Sequence, residues 1–226
     1  MPTGTLFIVA TPIGNLEDIS LRAQKTLADA DRILCEDTRV TRTLLNAYDI
    51  ATPTESFHQH STDAKVSSIV DRLSAGEHIA LVTDAGTPGI ADPGGVLVEA
   101  VASALPDVRI EPIPGPAACI AALSASGFAA DTFVFLGWPP HKKGRETWFA
   151  NLTDEPRVVV FYESVYRVHN ALERVASLLP DRKLMVAREL TKKFETIYRG
   201  TASEALTMLT KEQTKGEFVI VLDRVT

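Results

Sequence analysis

The chain has 226 residues, 45% of them hydrophobic and 23% charged, with a formal net charge of −6. This is the composition of a folded protein with room for two small domains, and no apolar run approaches the ~20 residues needed to span a bilayer, so no membrane association is expected. The acidic balance argues against wrapping bare nucleic acid by charge alone. The charge is uneven, however. Residues 1–116 carry 8 Lys and Arg against 16 Asp and Glu, and residues 117–226 carry 15 against 13. A polyanionic partner would meet the second half first.

The first half alternates strand-like and helix-like segments. Leu6-Phe7-Ile8-Val9-Ala10 reads as a strand buried on both faces. A loop from Thr11 to Asp18 follows, and Ser20 or Asp18 can cap a helix carrying Leu21 and Leu27. Arg32 to Cys35 is a second strand, and Val40, Leu44 and Leu45 suggest a helix ending near Tyr48. Thr62 or Asp63 opens a helix with Val66, Ile69, Val70 and Leu73 on one face, stopped by Gly76. Ile79 to Val82 is a third strand, Val96 to Ala104 a helix, and Val108 to Glu111 a strand. Pro112-Ile113-Pro114-Gly115-Pro116 cannot be helix interior or central strand, and reads as a hinge between domains 1–116 and 117–226.

Ala117 to Ser126 is a small-residue helix stopped by Gly127. Strands are expected at Phe133–Leu136, Arg157–Phe161, Leu184–Ala187, Glu195–Tyr198 and Phe218–Leu222. Val165, Val168, Leu172, Val175 and Leu179 form an amphipathic helix between them. The expected architecture is two α/β domains in tandem.

Residues 82–95, Val-Thr-Asp-Ala-Gly-Thr-Pro-Gly-Ile-Ala-Asp-Pro-Gly-Gly, are the densest feature. They leave a predicted strand and enter a predicted helix, where ligands bind in open α/β sheets. A connector rarely needs so many glycines, prolines and aspartates, so a ligand loop is favoured. Neither a G-x-G-x-x-G nor a P-loop pattern occurs, which disfavours a standard dinucleotide fold or nucleotide triphosphatase. Thr11 to Leu16 leaves another strand end and is explained equally well as a turn. The Cys35-Glu36-Asp37-Thr38-Arg39 cluster is either a helix cap with an ion pair or a catalytic set. Ser164 reads as a helix cap, whereas Glu163 beside it has no such explanation. Arg188 to Lys193 places four charges just past a strand, and a solvated face is the simpler reading. His58-Gln59-His60 lacks a third ligand nearby, so no metal site is expected. His141, Lys142, Lys143 and Arg145 make a basic loop. Cys35 and Cys119 are too few for a disulfide framework or a four-cysteine zinc site, and fit a reducing cytoplasm.

Thr11 to Leu16, Cys35 to Arg39, Asp84 to Gly94, Pro114 to Ala117, Phe161 to Ser164 and Ala187 to Lys192 occur in this order. Together they closely resemble the small-subunit ribosomal RNA methyltransferase I family, a branch of the tetrapyrrole methylase superfamily. The resemblance runs from about Leu6 to about Leu222. It implies two α/β domains with S-adenosylmethionine folded into the cleft between them, and a homodimer. It also implies 2′-O-methylation of a cytidine ribose in bacterial small-subunit ribosomal RNA, within the assembled subunit. Position by position, it implies cofactor contacts at Pro12, Ala85, Gly86, Thr87, Ile90, Ala117, Ala118, Tyr162 and Leu190. The family usually reads Tyr-Glu-Ser-Pro-His-Arg where this chain has Tyr162-Glu163-Ser164-Val165-Tyr166-Arg167, so that histidine is lost and Arg167 kept. Family members commonly continue past the last strand with a small tail domain.

Methyl transfer is an in-line displacement at an already activated methyl group, so alignment is the main task. A ribose hydroxyl is a poor nucleophile, and a base would help as its proton leaves. Lys192, Glu163 and Asp37 are the candidates, and Lys192 would act as base only if burial or Arg188 lowered its pKa. No metal is needed. Two other readings are a tetrapyrrole C-methyltransferase and a non-catalytic RNA-binding member of the fold. The acids Glu36, Asp37 and Glu163 suit hydroxyl recognition better than a pocket for a polycarboxylate ring.

Overall fold

The computed structural model describes residues 3–58, 61–209 and 216–225. The chain divides into two compact units, Met1–Ala117 and Ala118–Thr226.

The first unit runs β1 (Thr5–Val9), α1 (Leu21–Asp29), β2 (Arg32–Cys35), α2 (Thr38–Ala47), β3 (Thr54–Ser56), α3 (Asp63–Ser74), β4 (Ile79–Leu81), α4 (Gly94–Ala104) and β5 (Arg109–Ile113). Its strands form one sheet in the order β3-β2-β4-β1-β5, every neighbouring pair parallel. Successive side chains of β1 serve opposite cores because a strand alternates its faces. Leu6 joins Leu34, Ile69, Leu73 and Leu97 on the α3 and α4 side. Val9 joins Ala23, Leu27, Ile33 and Leu45 on the α1 and α2 side. Leu27 is fully buried, and its truncation to alanine would cost about 2–5 kcal/mol. Ser20 and Thr62 cap α1 and α3 by accepting from the backbone N–H of Ala23 and Lys65. Because all strands are parallel, their carboxyl ends lie on one edge. β1 and β4 are neighbours whose following helices cover opposite faces, which makes the gap between their ends the switch point of the sheet.

The second unit runs α5 (Ala118–Ser126), β6 (Phe133–Phe135), α6 (Arg145–Ala150), β7 (Val158–Ser164), α7 (Val168–Leu178), β8 (Leu184–Arg188), β9 (Thr196–Gly200), α8 (Ala202–Met208) and β10 (Glu217–Leu222). Its sheet has the order β6-β7-β10-β8-β9, with β6 and β7 parallel and the other pairs antiparallel. α6, α7 and α8 cover one face through Phe149, Val168, Leu172, Val175 and Ala205. α5 packs against β7, β8 and β10. β7 and β8 both run antiparallel to β10, so their carboxyl ends and the start of β10 share one edge.

Several boundaries differ from the sequence expectations. β5 continues through Pro112 to Ile113, because an edge strand tolerates a residue that cannot donate on its outer side. β3, α6 and α8 have no counterpart among the expected elements. The first is three polar residues and the others are short helices of six and seven. Ser164 is not a helix cap. It ends β7, and α7 starts after Arg167 without a side-chain cap.

Candidate active site

Three loops are knitted together at the carboxyl edge of the first sheet. Thr11 N–H donates to the Gly86 carbonyl at 2.9 Å and Gly86 N–H donates back to Thr11 at 3.1 Å, which ties the ends of β1 and β4. The Thr11 hydroxyl, almost fully buried, donates to the Thr83 carbonyl. Asp37 N–H donates to Asp84 Oδ1 at 3.1 Å, tying in the end of β2. Within residues 83–95, Asp92 accepts from the N–H groups of Gly89, Ile90 and Gly94, which explains one of the loop's aspartates as a stitch. Thr87 Oγ1 donates to the Pro116 carbonyl at 2.9 Å, so the stretch leading to Ala117 lies against this loop.

This arrangement gathers Pro12, Ala85, Gly86, Thr87 and Ala117. Gly86 has φ of +87°, a conformation that costs a side-chain-bearing residue about 1–2 kcal/mol. Gly115 packs on Ala10, where a Cβ would come within 2.9 Å of the alanine's own. Ala85 is exposed and Ile90 is 44% exposed, while Pro12 is buried. The rim is acidic. Burial pushes the Glu36 carboxyl up, and the negative charges of Asp84 and Asp92 push it further. Glu36, which the sequence reading groups with Asp37 and Glu163 as acids suited to hydroxyl recognition, stands on this rim.

Asp37 caps α2, accepting from Arg39 N–H at 2.8 Å, and pairs with the Arg39 guanidinium at 2.6 Å. Hydrogen bonds from the Arg39 side chain and backbone hold its carboxyl at about 2. Both halves of the cap-and-ion-pair alternative are therefore present. Such a depressed carboxylate is a weak proton acceptor at neutral pH.

In the second unit, Tyr162 lies on β7, and its hydroxyl accepts from Cys119 N–H at 3.1 Å, next to Ala118. Burial raises the phenol's pKa, and Cys119 adds to this. Glu163 follows, fully buried. Its Oε2 accepts from Arg145 Nη2 at 2.8 Å. Its Oε1 accepts from Ser164 N–H at 2.8 Å and faces Arg167 Nε at 3.0 Å. Both oxygens are thus committed, and the carboxylate anchors two arginines. Arg167 Nη1 is buried without a hydrogen-bond partner.

Lys192 sits in the turn after β8, at the sheet edge that also carries the end of β7 and the start of β10. Its ammonium donates to Glu189 at 2.9 Å and to Glu217 at 3.2 Å. Burial pulls the Lys192 pKa down, but the hydrogen bonds and charges of Glu189 and Glu217 outweigh it and hold it above the ordinary lysine value. The lowering that a lysine base would require is absent in this arrangement. Glu189 and Thr191 take positive φ of 52° and 66°, and Leu190 lies between them, half-buried. Non-glycine residues in this region cost about 1–3 kcal/mol each and cluster at functional sites. Glu189 and Glu217 are further candidates that the sequence reading misses. Glu217 is separated from Lys192 by 25 positions, and only the strand pairing brings them together.

Two arginines of the second unit are not available to a polyanionic partner. Arg145 is 7% exposed and committed to Glu163, Pro140 and the Phe149 ring. Arg182 is 8% exposed and donates to the carbonyls of Leu152, Arg157 and Asp223. Both spend their donors on the protein itself. His141, Lys142, Lys143, Lys183 and Lys193 are exposed. Cys35 and Cys119 are buried thiols. Among the described residues no group of three or more His, Cys, Asp and Glu could hold a metal, and no helix is long and apolar enough to cross a membrane. Gln59 and His60 of the His58-Gln59-His60 stretch lie outside the described residues.

Comparison with known proteins bears on this geometry. Residues 5–206 match the family described as Tetrapyrrole (Corrin/Porphyrin) Methylases. The chain is 46% identical over 223 residues to a ribosomal RNA small subunit methyltransferase I of Xylella fastidiosa, covering 97% of this chain and 81% of that protein. It is 42% identical over 219 residues to the protein of the same name from Thermotoga maritima, covering 97% and 98%. Among solved structures, the methyltransferase CobJ superposes with a TM-score of 0.71 at 19% identity, covering 99% of this chain and 95% of that one. A diphthine synthase superposes with a TM-score of 0.73 at 11% identity, covering 97% and 90%. At such low identities the superpositions speak for the fold alone, whereas identity above 40% along nearly the whole chain speaks for the narrower group. The chain belongs to the ribosomal RNA small subunit methyltransferase I family, within the tetrapyrrole methylases.

Proposed function

We propose that this protein transfers the methyl group of S-adenosylmethionine to the ribose 2′-hydroxyl of a cytidine in bacterial small-subunit ribosomal RNA. The observation that carries the reading is the identity of 42–46% to relatives of that name along 97% of the chain. The proposed setting is the cytoplasm, the proposed substrate is the assembled small subunit, and the proposed working form is a homodimer.

The residues at the first sheet's carboxyl edge fit the donor. The small side chains of Ala85, Gly86 and Ala117 suit close approach of a flat ligand, and the acidic rim of Glu36, Asp84 and Asp92 complements a cation. The proposed contacts are Pro12, Ala85, Gly86, Thr87, Ile90 and Ala117 from the first unit, with Ala118, Tyr162 and Leu190 from the second. When bound, S-adenosylmethionine supplies a methyl group already activated by its sulfonium. The chain then has to align the acceptor oxygen and handle one proton.

Of the three ionisable candidates, Lys192 suits that task best. Its side chain is 31% exposed, whereas Glu163 is sealed and Asp37 is a cap held at about 2. As an ammonium held by Glu189 and Glu217, Lys192 donates to the acceptor oxygen and stabilises the negative charge that develops there as the new O–CH3 bond forms, the sulfonium's C–S bond breaks and the hydroxyl proton passes to solvent water. Glu163 acts by position, holding Arg145 and Arg167. Asp37 holds the end of β2 against Asp84.

The test is to incubate the protein with labelled S-adenosylmethionine and either naked ribosomal RNA or assembled small subunits lacking the modification, and then to map the label. Label on a cytidine ribose in the subunit is expected. Label on neither substrate, with a tetrapyrrole accepted instead, would overturn the reading.

A further inference from the structure

The loop from Gly137 to Gly144, between β6 and α6, is built to present one aromatic ring beside exposed positive charge. Its first end is fixed. The Gly137 carbonyl accepts from Tyr162 N–H at 2.8 Å, so the chain leaves the sheet in register. The Trp138 ring stands 5.4 Å from the Tyr162 ring at an interplanar angle of 63°, and Phe135 packs on the same tyrosine at 4.9 Å. Tyr162 is itself pinned through its hydroxyl to Cys119 N–H. The far end is fixed as well. Arg145 Nη1 donates to the Pro140 carbonyl at 3.2 Å, Arg145 N–H donates to the Lys142 carbonyl, and the guanidinium is clamped by buried Glu163. Pro139 and Pro140 stiffen the stretch between.

Despite these constraints Trp138 is 42% exposed. The contrast is Trp148, whose ring packs on Phe149 at 4.9 Å and on Phe161 at 5.2 Å against the core. An indole held in place yet left open loses little entropy when a flat partner stacks on it. His141, Lys142 and Lys143 follow within five residues, all exposed. The half of the chain that carries them is net positive, by 15 Lys and Arg to 13 Asp and Glu, while the other half is strongly acidic.

We propose that Trp138 is a stacking platform for an unpaired base of the RNA strand, with Lys142 and Lys143 meeting the phosphates beside it. This rests on the reading that the substrate is RNA, and it names the part of the second unit that grips it. Stacking requires an open π-face, which an unpaired base offers and a duplex hides. Lysines alone would hold any polyanion. A fixed indole beside them selects single-stranded nucleic acid.

The experiment uses the whole chain and a short unstructured RNA carrying a fluorescent end label. By anisotropy at low salt, Trp138→Ala should weaken binding by about 5- to 150-fold, the range expected for loss of one base–aromatic stack. Trp138→Phe should keep most of the affinity. Lys142→Glu with Lys143→Glu should lower the slope of log affinity on log salt by about 0.7 for each phosphate no longer neutralised. In a Trp148→Phe background, where Trp138 is the remaining tryptophan, the same RNA should quench its emission. Equal RNA affinity for Trp138→Ala and the parent, or quenching by duplex and single strand alike, would overturn the proposal. So would a Trp138→Ala variant that loses S-adenosylmethionine affinity by calorimetry but keeps RNA affinity, since the indole would then belong to the donor site. Mapping of the methyl label on small subunits separates the two readings. Normal ribose labelling with RNA affinity indifferent to Trp138 sinks this proposal alone, and absence of ribose labelling sinks the functional reading beneath it.

Discussion

Glu163 is where a structural and a catalytic role predict opposite outcomes. Its carboxylate is fully buried between Arg145 and Arg167, and Arg145 is itself 7% exposed. Replacing Glu163 by Ala removes the only carboxylate seen against these two guanidiniums among the described residues. Breaking a buried pair in this way costs about 3–5 kcal/mol, because the charge left behind is uncompensated. For a unit of about a hundred residues, that lowers the melting midpoint by at least ~12 °C. Both tryptophans, Trp138 and Trp148, lie in the second unit, so intrinsic fluorescence follows the unfolding of the relevant unit directly. Glu163→Gln keeps the shape and one carbonyl acceptor, so one arginine retains a hydrogen-bond partner while the other faces an amide NH2, and its cost should be smaller than that of Glu163→Ala. The two variants are compared by thermal and urea unfolding and by single-turnover methylation. The expected result is a large stability loss for Glu163→Ala, a smaller one for Glu163→Gln, and turnover that tracks the folded fraction. A Glu163→Gln protein as stable as the parent but with turnover reduced by about 100-fold or more would refute the anchoring role and make the carboxylate a proton acceptor.

Gly86→Leu places a side chain at φ of +87° on the loop tied to Thr11, and should abolish S-adenosylmethionine binding in calorimetric titration. Unchanged affinity in a folded variant would remove this loop from the donor site. Lys192→Ala should lower single-turnover methylation by about 100-fold with little change in donor affinity. Lys192→Arg, which keeps a cation that cannot give up its proton, should retain much of the rate if the ammonium acts as a donor. A rate as low as that of Lys192→Ala would make it a base. Asp37, held at about 2 against an ordinary 3.8, contributes stability above the ordinary carboxylate range, and this contribution is lost as pH falls towards 2. The stability gap between the parent and Asp37→Ala, followed by circular dichroism and urea, should therefore be full at pH 6 and shrink below about pH 4. A gap that stays constant to pH 3 would contradict the ion-paired cap.

What the sequence disclosed and what it hid divide along physical lines. The parallel sheet was legible because strands buried on both faces are continuous apolar runs. Leu6 to Val9 and Ile79 to Leu81 stand out, while β3, Thr54–Ser56, has no apolar residue to mark it. The 84–95 loop stood out because its glycines, prolines and aspartates answer local demands, and the structure shows Asp92 meeting one of them within five residues of chain. The charged residues of the second unit were not legible in the same way. Glu163, Arg145, Lys192 and Glu217 owe their states to partners brought in by strand pairing or by a helix that begins elsewhere. Arg145 reads in sequence as one more cation of a basic loop, beside Lys142 and Lys143. Only the fold shows that it faces inward to Glu163 while its neighbours face outward. Ser164 makes the same point. A serine after a strand and before an amphipathic run satisfies every local rule for a cap, yet β7 carries on through it, because pairing with Glu217 at the start of β10 extends the strand past the point where the apolar pattern ends.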